Sequence, residues 1–124
     1  MKRLILVVAG LAALWVAPAI AHHSFAAEFD VNDPVTLTGT LTEMEWVNPH
    51  SWLHVDVAQP DGSVVNWAIE VAGPNALIRR GLRLTDFPIG TILIIEGYRA
   101  NNGTPTASGE TVKLEDGTNF FLGA

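Results

Sequence analysis

Cysteine is missing from this 124-residue sequence, and basic residues are scarce. The lack of cysteine excludes a disulfide framework, a thiolate metal site, a cysteine nucleophile and a lipid-modified cysteine. Seven Lys and Arg residues stand against thirteen Asp and Glu residues, which gives a formal net charge of −6 at pH 7. Nucleic acids and anionic membrane surfaces both attract positively charged proteins. The charge balance therefore argues against both as partners, and an ordinary hydrophobic core must stabilise the fold.

Residues 1–21 have the organisation of a secretory signal peptide. Lys2 and Arg3 provide a basic start, and the 13 residues from 4 to 16 are all apolar or small. A transmembrane helix needs roughly 20 apolar residues, so this run is too short for a retained membrane anchor. The pattern predicts a cleaved signal peptide and export to a bacterial periplasm or beyond, with no membrane span in the mature chain.

The cleavage site determines which residue begins the mature protein. Ala19 and Ala21 fit the A-x-A pattern that signal peptidase recognises, which predicts a cut after Ala21 and a chain that begins at His22. A cut after Ala19 also fits the pattern, and the chain would then begin at Ile20. Removal of residues 1–21 leaves five basic residues against thirteen acidic ones, a formal charge of −8.

Residues 22–34 show little hydrophobic periodicity and end in turn-forming residues, so they are predicted to form an N-terminal arm. Residues 35–124 form the predicted β-domain, which begins at 35–41 with apolar residues that alternate with threonines. Beyond Leu41 the apolar side chains move from odd to even positions, beginning at Met44. A slip of this kind is typical of a β-bulge and predicts a long, bent first strand.

Residues 73–81 differ from the strand pattern and predict a helix of about two turns. Pro74 begins it, two arginines lie in its last turn, and Gly81 follows its end. Residues 100–109 are polar and predict a mobile loop. The remaining predicted strands comprise residues 51–57, 63–71, 91–99, 111–114 and 119–122.

This order of elements predicts an all-β fold. It is the order expected of a small OB-like five-stranded Greek-key barrel, with a bulged first strand and one short helix between strands 3 and 4. A β-sandwich is the alternative, and it would not need the helix. We expect a monomeric or weakly associated domain.

Distinctive motifs occur along the whole predicted mature chain. They comprise residues 22–30 (HHSFAAEFD), 35–39 (VTLTG), 45–50 (EWVNPH), 66–68 (NWA), 79–81 (RRG) and 96–100 (EGYRA). Together these motifs resemble an uncharacterised family of small exported bacterial proteins. That family is known only as a domain of unknown function, so the resemblance implies no catalytic residue.

The predicted mature terminus carries the donors of a copper site. If the chain begins at His22, its free α-amine and ring nitrogen can chelate one metal together, as in the histidine brace of copper proteins. Imidazole nitrogens from His23, His50 or His54 would complete a set that suits copper(II), which favours nitrogen donors in a tetragonal plane. A chain that begins at Ile20 would carry histidine at its third position, which also makes a square-planar copper site.

Strand geometry limits how His50 and His54 can share a metal. Four residues along a straight strand separate their Cα atoms by roughly 13 Å, with parallel side chains. The two imidazoles could meet at one ion only if the chain bends near residues 49–51. One of them together with the N-terminal histidine, and with Asp56 or Glu70, is easier to build.

Aromatic residues support a different binding hypothesis. Trp46, Trp52 and Tyr98 could form an aromatic platform on the barrel face that OB-folds use for oligonucleotides or sugars. The acidic charge disfavours nucleic acid, so a glycan or a protein is the better partner. The alternative is that Trp46 and Trp67 belong to the core, as half-buried aromatic residues commonly do.

The sequence does not favour an enzyme. Ser51, His54 and Asp56 lie on one predicted strand, without a nucleophile elbow or a glycine-lined oxyanion loop. The glycines do not form a phosphate-binding loop. The sequence therefore predicts an exported periplasmic binding protein without catalytic activity, which binds copper through its processed N-terminal histidines. The alternative is a glycan- or protein-interaction module, and in either case the ligand is an unidentified small molecule or periplasmic protein.

Overall fold

The computed structural model describes residues 24–124, so the predicted signal peptide, His22 and His23 lie outside the described residues. Within residues 24–124, no helix combines the length and the apolar character needed to cross a membrane. The elements are α1 (Phe25–Glu28), β1 (Phe29–Glu45), β2 (His50–Ala58), β3 (Val64–Ala72), α2 (Pro74–Arg79), a 3-10 turn (Leu84–Asp86), β4 (Ile92–Ala100), β5 (Thr106–Leu114) and β6 (Asn119–Phe121).

Five of the strands form a closed ring. β1 pairs antiparallel with β2 and with β4, β2 pairs with β3, and β4 pairs with β5. A parallel pairing between β3 and β5 closes the ring, and β6 extends it beside β5. This pairing, with a short helix between β3 and β4, is the arrangement of an OB-fold. The predicted all-β, barrel-like fold is confirmed.

The long first strand bends at a bulge. The register between β1 and β2 shifts between Leu41 and Glu43, so that both Leu41 and Met44 face the interior side of the sheet. This is the slip that the change from odd to even apolar positions predicts. Near the bulge, β1 approaches β2 closely, because a Cβ on Gly39 would lie 2.8 Å from the carbonyl oxygen of Asp56.

The core lies inside the ring and is closed at one end by α2. On β2 and β3, alternate residues face inward, in agreement with the predicted period of two. Leu77 of α2 is fully buried and belongs to the same hydrophobic cluster as the ring residues, and we therefore call α2 the plug helix. The fully buried core residues of the ring are Leu41, Leu53, Val55, Ile69, Val71, Leu93, Ile95, Ala107 and Val112.

Two strands begin about five residues or more before their predicted starts, whereas the boundaries of β2, β3, β4 and β6 agree with the prediction to within one residue. β1 begins at Phe29, inside the predicted arm, because Phe29 pairs with Ala100 at the end of β4. β5 begins at Thr106, inside the predicted mobile loop, because residues 106–108 pair in parallel with β3. Both differences come from pairing with strands that are distant in the sequence, which local patterning does not encode.

Candidate functional site

The connection between β1 and β2 places His50 at the start of β2. Residues 46–49 form this corner, and the Asn48–Pro49 peptide bond is cis. The backbone of Gly73 packs so closely on the corner that a Cβ there would overlap the carbonyl oxygen of Pro49. The buried Ser51 hydroxyl donates to the carbonyl oxygen of Val47, 3.4 Å away. The corner is therefore held from both sides.

His50 contacts a carboxylate on the neighbouring strand. Its Nδ1 lies 2.5 Å from Oε1 of Glu70, on the outer face of β2 and β3. In the strand register Trp52 is opposite Glu70 and His50 is opposite Ala72, so the His50 contact is a diagonal one. The Glu70 side chain is only 10% exposed, whereas that of His50 is 43% exposed. Glu70 is thus a buried acidic group on an outward-facing position.

The environment of Glu70 disfavours its negative charge. Burial raises the pKa of Glu70, and the nearby charge of Glu28 raises it further, while the contact with His50 lowers it in part. The net effect is a pKa above the usual value for glutamate. Glu28 itself is exposed, whereas Glu70 is buried, and a cation bound near both carboxylates would relieve their repulsion.

A cavity of about 570 Å³ lies beside the His50–Glu70 contact. It occupies the outer face of β2 and β3 together with the β4–β5 loop, which is the ligand-binding face of OB-folds. Its lining includes Glu28, Trp52, Glu70, Asn101, Asn102 and Thr106. We call this space the Trp52 cavity. Its volume is in the range of about 300–1,000 Å³ that small-molecule sites occupy.

Helix α1 forms one wall of the Trp52 cavity and is fixed to the β4–β5 loop. The backbone NH of Asn101 donates to the carbonyl oxygen of Glu28 over 2.8 Å, and the Asn101 side-chain amide donates to that of Ala26 over 3.1 Å. The ring of Phe25 lies 5.8 Å from the ring of Tyr98, in an edge-to-face arrangement. The chain segment that directly follows His23 in the sequence is therefore anchored at this cavity.

His54 has a different partner from His50. Its Nε2 lies 2.8 Å from Oε1 of Glu45 on β1. With Glu43, these residues bring three potential metal-binding atoms within 4.8 Å of one another on an exposed surface. A cross-strand histidine–carboxylate pair also occurs as ordinary sheet stabilisation. His50 and His54 thus contact different carboxylates, those of Glu70 and Glu45. Asp56 contacts neither histidine and instead accepts a hydrogen bond from Asn66.

The three candidate platform aromatics lie in different places. Trp52 lines the Trp52 cavity. Tyr98 lines a second cavity of about 290 Å³ between β1, β4 and β5. Trp46 is partly buried and packs against the hydrophobic core, while Trp67 is buried within it. Of the three, Trp52 alone is on the cavity that also contains Glu70.

The sequence analysis identified His50, Trp52 and Glu70 but missed Glu28 and the Asn101–Asn102 pair. The asparagines could have been found, since they fall in the loop between strands 4 and 5, which OB-folds use for binding. Glu28 could not, because nothing in its local pattern shows that α1 binds the β4–β5 loop and so brings Glu28 to the cavity that Glu70 lines.

The closed ring of five strands makes this protein an all-β domain with a barrel-like fold, and it carries a ligand-sized cavity on its outer face. Residues 10–109 match a family model described as a family of unknown function, DUF6152. The chain belongs to this family. No curated protein and no solved structure matches this chain.

Proposed function

We propose that this protein is an exported bacterial binding protein that holds copper(II) between its processed N-terminus and the Trp52 cavity. The observation that supports this function best is the contact of His50 with Glu70, a residue of the cavity lining. The lining also includes Ala27 and Glu28 of α1, a helix whose first residue is two positions after His23.

The contact between His50 and Glu70 has the form of a metal-binding histidine with its supporting group. Ligand histidines commonly use one ring nitrogen for the metal and the other for a carboxylate, which fixes the ring orientation. Glu70 contacts Nδ1 of His50. We therefore assign Nε2 of His50 to the metal and give Glu70 the orienting role.

The mature terminus would supply the remaining donors. A chain that begins at His22 offers an α-amine and an imidazole, and His50 adds a third nitrogen. Glu28 or His23 can add a fourth donor, which gives the mixed nitrogen and oxygen set that copper(II) accepts in tetragonal geometry. His54 is left out of this set, because its Nε2 already contacts Glu45.

Copper titration of the purified mature protein tests this function. Intact mass measurement first establishes that the exported chain begins at His22. We expect His22→Ala and His50→Ala each to weaken copper(II) affinity at least about tenfold, which corresponds to the loss of one ligand or of its support. Electron paramagnetic resonance should show fewer coordinated nitrogens in both variants.

His54→Ala is the matched control, since His54 lies on the same strand face as His50 but pairs with Glu45. It should leave copper affinity unchanged. Equal affinity of the wild-type and His50→Ala proteins, or a mature chain that begins at Ala26 or later, would refute the copper site.

A second candidate function is binding of a glycan or a protein segment without metal. It is supported by the position of Trp52 on the cavity, where a flat ligand could stack on the indole ring. Metal-free protein titrated with a panel of oligosaccharides and peptides should then show quenched tryptophan fluorescence. The quenching should disappear in Trp52→Ala and persist in Trp46→Phe.

A further inference from the structure

The Trp52 cavity is large enough to hold a whole small molecule. Its volume is about 570 Å³, whereas one water molecule takes about 30 Å³ in the liquid. Two aromatic side chains, those of Trp52 and Phe29, belong to its lining, and Ala27 and Ala100 add apolar surface. The organic part of a ligand would therefore gain both burial and aromatic contact in this cavity.

The charged groups of this lining are all of one sign. Within residues 24–124, the lining includes the carboxylates of Glu28 and Glu70 but no lysine, arginine or histidine. Glu28 is exposed, so water and salt screen its charge. The side chain of Glu70 is only 10% exposed, so its charge is screened much less. Glu70 therefore disfavours an anionic ligand and favours a cationic one.

Glu70 can bind a ligand while it keeps its contact with His50. Nδ1 of His50 contacts Oε1 of Glu70, and a carboxylate has a second oxygen that also accepts. Trp52 lies directly opposite Glu70 in the register of β2 and β3, so the two side chains are neighbours on the outer face of the sheet. Burial raises the pKa of Glu70 because its charge is poorly solvated, and a cation beside it would offset that cost.

The amide groups of the cavity lining are already engaged in hydrogen bonds. The Asn101 side-chain amide donates to the carbonyl oxygen of Ala26, and Oδ1 of Asn102 accepts from the backbone NH and the hydroxyl of Thr104. A primary ammonium has three N–H groups, and each needs an acceptor when it is buried. A quaternary ammonium has none and is bound through its charge and its surface, which suits this lining better.

From this arrangement we infer that the Trp52 cavity binds a small organic cation, an alkylated ammonium of the choline type, held between the indole of Trp52 and the carboxylate of Glu70. The face of an indole attracts a cation, and tryptophan does so most strongly among the aromatic residues. The inference is separate from the proposed copper function, since it needs no metal and involves only residues 24–124.

The experiment titrates the metal-free mature protein with choline and with its neutral isostere, a dimethylbutanol in which a carbon atom replaces the ammonium nitrogen. The two probes have the same shape and differ in charge, so calorimetry measures the effect of the charge directly. We expect choline to bind at least about tenfold more tightly than the alcohol. Glu70→Gln should lower the affinity for choline about tenfold and leave the affinity for the alcohol unchanged.

A choline-type cation exists both as a free molecule and as a lipid headgroup. Sedimentation of the protein with phosphatidylcholine vesicles distinguishes these two sources, because they present the same ammonium group. Binding of choline without binding of vesicles would assign the cavity to a soluble cation, whereas binding of both would extend the same ammonium site to the headgroup.

Four further variants separate ligand contact from folding and from net charge. Trp52→Ala should lower the affinity for choline about tenfold, and Trp52→Phe, which keeps a ring, should have an intermediate affinity and an unchanged melting temperature. Glu43→Gln makes the same change in net charge as Glu70→Gln at an exposed position of β1 and should bind choline as wild type does. Trp46→Phe changes a tryptophan that packs on the core and should also bind choline as wild type does.

Each alternative result has a distinct meaning. Equal affinities for choline and the neutral alcohol would overturn the inference, because the cavity would then be a simple apolar slot. Wild-type choline affinity in Glu70→Gln or in both Trp52 variants would overturn it as well. Copper binding without choline binding would refute this inference and leave the copper function standing. Choline binding by a protein that does not bind copper would support the inference and refute the copper function.

Discussion

Glu70 contacts His50 diagonally across β2 and β3, with 2.5 Å between Oε1 and Nδ1, and it is buried although its position faces outward. Outward positions of a sheet are normally solvated. Here residues of α1 and of the β4–β5 loop line a cavity together with Trp52 and Glu70. The protein thus keeps an acidic group at a site where its charge is disfavoured, which is common at binding sites.

Replacing Glu70 should change the pH dependence of stability. Because the pKa of Glu70 is raised by burial in the folded protein, folding favours the protonated carboxyl group. The charged form therefore lowers stability above the folded pKa, and this penalty fades as pH falls through the folded pKa towards the unfolded value. Glu70→Gln should melt at a higher temperature than wild type at pH 7, and the difference should vanish at acid pH.

Thermal unfolding followed by circular dichroism between neutral and acid pH measures this effect on metal-free protein. Glu43→Gln removes an exposed carboxylate of β1 and serves as the control, with little change expected at any pH. A Glu70→Gln protein that is less stable than wild type at pH 7 would show that the contact with His50 outweighs the burial of the charge.

The plug helix α2 should contribute much of its stabilisation through one side chain. Leu77 is fully buried against the core, whereas its neighbour Ile78 is 56% exposed. Leu77→Ala should lower the free energy of unfolding by about 2–5 kcal/mol, through lost burial and an unfilled cavity. Ile78→Ala should change it by roughly 0.5 kcal/mol or less. Urea unfolding measures both, and equal effects of the two substitutions would refute the plug role.

A substitution at Gly73 should lower both the stability of the protein and its affinity for copper. The backbone angles of Gly73, φ −66° and ψ 163°, suit any residue, so alanine would be opposed by the overlap of its Cβ with the Pro49 carbonyl and by the Asn48 Oδ1, 3.3 Å from that Cβ. Gly73→Ala should therefore cost about 1–3 kcal/mol, as overpacking typically does. It should also weaken copper binding, because the displaced corner leads directly into His50.

The control for this substitution is Asn75→Ala, on the exposed side of the same helix. Alanine is favourable in a helix, so stability and copper affinity should both be retained. Wild-type stability of the Gly73→Ala protein in urea unfolding would mean that the corner moves freely away from Gly73.

Much of the fold could be predicted because the relevant signals are local. Alternation at period two located β2 and β3, the change of parity after Leu41 located the bulge, and Pro74 with Gly81 marked the ends of the helical segment. The starts of β1 at Phe29 and β5 at Thr106 were missed, because both depend on strands that are distant in the sequence.

The residues of the candidate site could likewise be predicted only in part from local sequence signals. The sequence itself determined the residue types available for binding, the absence of thiolates and the acidic charge, since composition does not depend on folding. It pointed to His50 but left Asp56 and Glu70 as equal partners. Only the tertiary structure decided between them. The register of β2 against β3 places Glu70 opposite Trp52, within reach of His50. The same register places Asp56 opposite Asn66, with which it forms a hydrogen bond. The pairing register and the hydrogen bonds between α1 and the β4–β5 loop join distant parts of the chain, and the buried Glu70 lies in the lining of the ligand-sized cavity that results.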